Sequence, residues 1–215
     1  MYKAVKEKGL IPFFENVIPG YSVEELTPRE FWFDGEEDGL GPWDWKIECV
    51  QSGDIVYGKY LLGGKAAFAT IKWYRELMLW RRSQEKYRPD EAGQAILDYL
   101  KENGTITIRE VRHLLGVKKS AADAAITRLM MQCRVVTGDI IRVYRGADLH
   151  YNGWQVSSFC TPEDLYDELS GLPQLSDSPV SSGSHSPSDA LEALIGHLSD
   201  LTGETDRSQI MKILR

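Results

Sequence analysis

Residues 103–133 read NGTITIREVRHLLGVKKSAADAAITRLMMQC, and this stretch decides the fold. Asn103-Gly104 closes a preceding helix, because glycine accepts the left-handed backbone that ends one. Thr107 and Glu110 have the spacing of a capping box, in which a hydroxyl and a carboxylate each satisfy an orphan backbone donor. The helix they open places Ile108, Val111, Leu114 and Leu115 inside and stops at Gly116, so it has only two turns. After the turn Gly116-Val117-Lys118-Lys119, Ser120 stands where it can cap another helix running to about Cys133. That helix buries Ala122, Ala125, Ile126, Leu129 and Cys133 at helical spacing, and its other face is small and polar.

Upstream, a helix over about Glu91 to Asn103 puts Ala95, Ile96, Tyr99 and Leu100 on one face, and Thr105-Ile106 makes a short extended piece. Downstream, Val135-Val136 and Asp139 to Tyr144 are β-branched runs. A loop from Arg145 to Gly153 follows, and Trp154 to Phe159 alternates as a returning strand. Helix, strand, short helix, glycine turn, helix and hairpin is the order of a winged helix-turn-helix domain. In that architecture the third helix enters the major groove N-terminus first, and the hairpin reaches the backbone or the minor groove. The residues expected to bind nucleic acid are Lys118, Lys119 and Ser120 at the helix start, with Asp123, Ala124, Thr127 and Arg128 facing outward. Arg142, Arg145 and His150 supply the wing. Winged helices also serve as protein-protein modules, which stands as the alternative.

The part before about Arg88 is mixed. Ser22-x-x-Glu25 and Thr27-Pro28-Arg29-Glu30 open two short helices, the second with proline at its first position. Trp45 to Val50, Ile55 to Leu61 and Lys65 to Thr70 alternate as three strands of an antiparallel meander, separated by Ser52-Gly53-Asp54 and Gly63-Gly64. A helix over Ile71 to Ser83 follows, with Trp73, Leu77 and Trp80 on one side and Arg75, Arg81 and Arg82 at its edges. Trp43, Trp45, Tyr57, Trp73 and Tyr74, beside Asp44, Glu48 and Asp54, would suit an aromatic cleft with a carboxylate base that holds a flipped base. Aromatics on short strands and one helix are, however, most often simply the core of a small α+β layer, which is the stronger reading.

The 215 residues carry 25 Lys and Arg against 32 Asp and Glu, a net charge of −7 that argues against a uniformly basic coat. The charge is unevenly placed: Lys72 to Arg145 holds about +6 and the remainder about −13. Glu24 to Asp44 reads as a solvated acidic loop. Cys49, Cys133 and Cys160 form no CxxC and pair with no histidines at ligand spacing. Neither a disulfide scaffold nor a metal site is expected, no cofactor is implied, and a reduced, cytoplasmic protein is. No stretch approaches the roughly 20 apolar residues of a membrane span. The Ser/Pro-rich run Gly171 to Ser188 is a flexible linker. Beyond it Ala190, Leu191, Leu194, Ile195, Leu198 and Leu201 form a helical stripe that must bury against the body or against a second subunit, which leaves a homodimer through this helix open. Thr205 to Leu214 makes a last helix after Gly203.

A family resemblance extends up to about Phe159. Ile11-Pro12-Phe13-Phe14, the stretch Glu37 to Lys46 (EDGLGPWDWK), Tyr57-Gly58-Lys59, Gly64-Lys65-Ala66-Ala67-Phe68 and Ile126 to Gln132 resemble the bacterial AlkZ-related proteins. These are short, distant relatives of the winged-helix DNA glycosylases of the AlkZ and YcaQ type, which remove alkylated bases. The resemblance implies a winged-helix body and duplex DNA as partner. Those glycosylases share a Gln-x-Gln or Gln-x-Tyr pair that positions the attacking water, and no glutamine of this chain is followed two residues later by Gln or Tyr.

The expected fold is therefore α+β. It comprises an N-terminal mixed α/β part with a small antiparallel sheet (1–88), a winged helix-turn-helix domain (89–170), the linker (171–188) and a helical appendage (189–215). The expected function is noncatalytic, salt-sensitive binding of duplex DNA. The alternatives are a repair glycosylase that uses some other carboxylate and a protein-interaction module.

Overall fold

The structure, a computed structural model, describes residues 1–33, 41–170 and 185–215. Most of the Ser/Pro-rich run and the acidic residues Asp34, Glu36, Glu37 and Asp38 lie outside the described residues. The elements in order are α1 (Tyr2–Lys8), β1 (Leu10–Pro12), α2 (Val23–Leu26), α3 (Glu30–Phe33), α4 (Pro42–Gln51), β2 (Ile55–Leu61), β3 (Lys65–Thr70) and α5 (Ile71–Arg82). Then come α6 (Glu91–Asn103), β4 (Ile106–Thr107), α7 (Ile108–Leu115), α8 (Lys119–Met131), β5 (Val136–Arg145) and β6 (His150–Cys160). The chain ends with α9 (Pro162–Leu165), α10 (Asp167–Ser170), α11 (Pro187–Thr202) and α12 (Arg207–Leu214). The fold is mixed α and β, with two three-stranded antiparallel sheets ordered β1-β3-β2 and β4-β6-β5. No described helix is long and apolar enough to cross a membrane.

The first sheet corrects the expected meander. Trp45 to Val50 is not a strand but the body of α4. Its alternation of apolar and polar residues competes with a helical signal: Pro42 at the first turn, Asp44 beside the N-terminal amides, and Trp43, Ile47 and Val50 spaced i, i+4, i+7. The third strand is β1 instead, paired Leu10 to Ala69 and Pro12 to Ala67. β3 is central, and Ala66 to Ala69 are buried on both faces, with Phe68 the one large side chain among three alanines. The acidic run is likewise not all loop: Ser22 caps α2 by accepting from Glu25 N, and Asp44 lies inside α4.

Two cores result. One joins the first sheet to α5, α11 and α12. The other lies among α6, α7, α8 and the second sheet around Ile96, Val111, Ala125, Ile126 and Leu129. Ile47, Val50 and Ile140 make a small third cluster between α4 and β5. The β2–β3 turn explains its glycine pair. Gly63 and Gly64 have φ +69° and +101°, and a Cβ at Gly64 would lie 2.8 Å from Thr127 Cγ2 on α8. From the other side, Leu62 N and Gly63 N donate to the carbonyls of Ile213 and Arg215.

The tail docks on its own chain. Ser186 and Asp189 form a capping box that starts α11 inside the expected linker. Ala190, Leu194 and Leu198 are fully buried, packed within the first core against α5. His197 stacks on Trp73 at 3.7 Å and hydrogen-bonds the Lys8 carbonyl at 2.8 Å, and burial holds its pKa below the usual value.

Arg81 and Arg82, expected at a helix edge, are buried. Arg81 is completely enclosed and donates to the carbonyls of Met131 at 2.9 Å and Leu214 at 2.5 Å, the last residues of α8 and α12. The negative ends of two helices thus take the place of a carboxylate. Arg82 donates twice to the Cys133 carbonyl and pairs with Glu163 at the start of α9. Cys133 turns the chain from α8 into β5 with φ +54°.

Replacing Arg81 with methionine leaves both carbonyls unsatisfied and is expected to cost about 2–5 kcal/mol in denaturant unfolding. Lysine recovers less than half of it, because one ammonium cannot fork to both ends. A loss below about 1 kcal/mol would contradict this account.

Candidate nucleic-acid interface

The helix pair α7–α8 forms as its punctuation requires. Thr107 accepts from Glu110 N, while the Glu110 carboxylate accepts from Thr107 N at 2.7 Å, and Gly116 closes α7 in the left-handed region. The start of α8 differs from expectation. Lys118, not Ser120, is the N-cap residue, its backbone extended and its side chain making no cap bond. Ser120 falls inside the first turn. The reason is the tightness of the turn: Val117 N returns to the Arg112 carbonyl, so the helix begins one residue after Lys118.

The outer face of α8 is narrow and small. Ser120, Ala121 and Ala124 are exposed beyond Lys118 and Lys119, and Asp123 is half-buried. Lys119 is tied to Asp123 at 2.7 Å, and Arg128, exposed, pairs at 3.2 Å with Asp90, the N-cap of α6. Thr127 does not face outward; it closes on the Gly64 turn.

The hairpin β5–β6 is longer than its sequence signal. The strands pair as far as Arg145 with His150, so the expected nine-residue loop shrinks to the turn 146–149. Arg145 lies over the Trp154 ring at 5.5 Å, and His150 is exposed at the tip. Trp154, Ile141 and Tyr144 are each more than half exposed. Arg142 turns inward, pairing with Asp44 at 3.3 Å and lying 5.6 Å from the centre of the Tyr151 ring.

Asp44 is the acceptor that holds this hairpin to α4. Tyr151 OH donates to it at 2.7 Å, Gln155 Nε2 at 3.4 Å, and Gln155 also donates to Tyr151 OH at 2.8 Å and to the Trp43 carbonyl at 3.1 Å. The other residues of the expected aromatic cleft scatter. Trp43 packs on Phe13, Phe14 and Trp32 with Lys46 over its ring, and Trp45 meets Phe31. Tyr57 lies against Phe68 in the core, where burial pushes its phenol pKa up. Trp73 is on the tail side with His197. Of the carboxylates, Glu48 is exposed. Asp54 is desolvated, but hydrogen bonds from Lys6, Ser52 and Tyr2 outweigh this and hold it at about 2. Burial pushes the thiols of Cys49 and Cys160 to about 11 and 12 and that of Cys133 up, which makes them poor nucleophiles. Among the described residues, no three His, Cys, Asp or Glu side chains gather as a metal site would require.

Sequence reasoning passes over two arginines and a histidine. Arg109, Arg112 and His113 on α7 line a recess of about 190 Å³ with Val117. Their i, i+3, i+4 spacing was the available signal, opposite the buried Val111.

Compared with protein-family models, the chain matches the one described as AlkZ related over residues 1–215. No curated protein and no solved structure matches it.

Removing the shared acceptor should loosen the hairpin and little else. Asp44→Ala is expected to speed amide exchange over 142–155 about tenfold while the protection of α5 stays unchanged, as follows from losing about 1–2 kcal/mol of charge-assisted bonding. Unchanged exchange in the hairpin would show that Asp44 does not hold it.

Proposed function

The chain belongs to the AlkZ-related family, and on that footing we propose that it is a noncatalytic DNA-binding protein whose residues 91–160 act as a winged helix. In this reading α6, α7 and α8 are the three helices, α8 lies in the major groove, and the β5–β6 hairpin is the wing. The observation that carries it is the outer face of α8. Past the lysines at its start, only Ser120, Ala121 and Ala124 stand exposed for more than a turn, which lets a helix backbone approach base edges closely. Lys118 and the free amides of the first turn suit a phosphate there, and Arg145 and His150 offer wing contacts.

Two observations support binding without excision. The Gln-x-Gln or Gln-x-Tyr pair is absent from the sequence. Asp44, the best-placed carboxylate of the glycosylase alternative, already accepts from Arg142, Tyr151 and Gln155.

With about four to six cationic contacts, log affinity should fall against log salt with a slope of roughly −3 to −5. Ala124→Glu tests the placement of α8. The residue is exposed, so the variant should melt like the parent, yet a carboxylate in the groove should weaken duplex binding at least about tenfold, or 1.4 kcal/mol. Equal binding by parent and variant would remove α8 as the reader. Release of abasic sites from alkylated duplex would overturn the noncatalytic assignment.

A further inference from the structure

The recess on α7 lies outside the helix face and hairpin just described. Its walls are Arg109, Arg112, His113 and Val117, around a hollow of about 190 Å³ that is open to solvent and roomy enough for one phosphate group. All three polar walls are exposed. Neither arginine has an ion-pair partner among the described residues, although the chain is acidic overall.

Two carboxylates of this helix pair are already engaged. Glu110, on the same helix, is folded back into the capping box, accepting from Thr107 N at 2.7 Å and Thr107 Oγ1 at 2.8 Å. Asp123, on the facing helix, holds Lys119 at 2.7 Å. Two guanidiniums at i, i+3 repel one another on a helix of only eight residues, and an anion between them reverses the sign of that interaction. Val117, in the wall of the recess, directly precedes Lys118 at the start of α8.

We propose that this recess is a phosphodiester pocket that holds one backbone phosphate of bound duplex DNA. Arg109 and Arg112 donate forked N–H groups to the non-bridging oxygens, His113 offers a third N–H, and Val117 gives the adjoining deoxyribose an apolar seat. Such a contact positions the duplex and carries no sequence information. The pocket rests on the DNA-binding function proposed above and adds a contact that neither α8 nor the wing supplies.

The test uses the full chain and a 20-base-pair duplex, with binding followed by fluorescence anisotropy at several salt concentrations. R109Q/R112Q should melt like the parent, since both side chains are exposed. It should bind about tenfold more weakly at low salt, with the slope of log affinity against log salt less negative by about 1–2. The loss should be equal for duplexes of unrelated sequence. In the parent, the His113 ring resonances should shift on adding duplex. A parent that binds while the double variant matches it in affinity and slope would overturn the pocket and leave the DNA-binding function standing. A loss confined to some sequences, or static His113 resonances in a parent that binds, would do the same. A parent that does not bind duplex overturns both.

Discussion

A single buried guanidinium ties the parts of this protein together. Arg81 leaves α5 and ends between the last carbonyls of α8 and α12, with no carboxylate pairing it among the described residues. Burying a charge is costly unless it is hydrogen-bonded, and since Arg81 Nε is buried without a partner, the two helix-end carbonyls are what hold the cation in place. Arg82 extends the same logic to Cys133 and Glu163. The consequence reaches the proposed interface. The C-terminal end of α8 is fixed to the body, Thr127 is seated on the Gly64 turn, and Met130 Sδ accepts from Lys59 N. At the N-terminal end of α8, Lys118 and Ser120 are exposed while Ala122 packs into the second core. A helix anchored by its far end presents its first turn without needing support from its own outer face, and that face can remain small.

Charge follows a similar pattern. The basic middle of the chain does not become a basic surface, because several of its cations are neutralised within the fold. Arg142 is bound to Asp44, Arg128 to Asp90, Lys119 to Asp123 and Arg82 to Glu163. Arg109, Arg112, Lys118 and Arg145 remain exposed on α7, on the turn to α8 and at the hairpin, as do Lys72, Arg75 and Lys86 elsewhere. Unneutralised charges on an acidic protein can steer and orient an anionic partner while limiting nonspecific adhesion, which is what the proposed salt-sensitive binding requires.

How much of this was legible in the sequence depended on the range of the interaction. Local devices were: the Thr107–Glu110 box, the Gly104 and Gly116 stops, the Ser22 cap and the stripe of α11 all form where their residues place them. Where two local signals compete, the sequence alone does not decide between them. Trp45 to Val50 alternates like a strand, but Pro42 and the i, i+4, i+7 spacing win once Ile47 and Val50 pack on Ile140. The role of the arginines was not legible, since Arg81 meets carbonyls 50 and 133 residues away. Nor was that of Asp44, whose partners lie on a hairpin about a hundred residues on, so that it looked like part of a solvated acidic loop. The candidate site is legible in its elements more than in its side chains: Lys118 and Arg145 stand exposed, Thr127 is turned in, and the i, i+3, i+4 spacing of Arg109, Arg112 and His113 does not show which charges remain unpaired.

The most direct test of the central claim, that duplex DNA binds on α7, the start of α8 and the hairpin tip, is amide hydrogen exchange on the full chain with and without a 20-base-pair duplex at low salt. The account predicts new protection over 108–124 and 142–151, with the amides of α11 and α12 unchanged. Protection confined to α4 and the aromatic residues around Trp43, or to the tail helices, would contradict it.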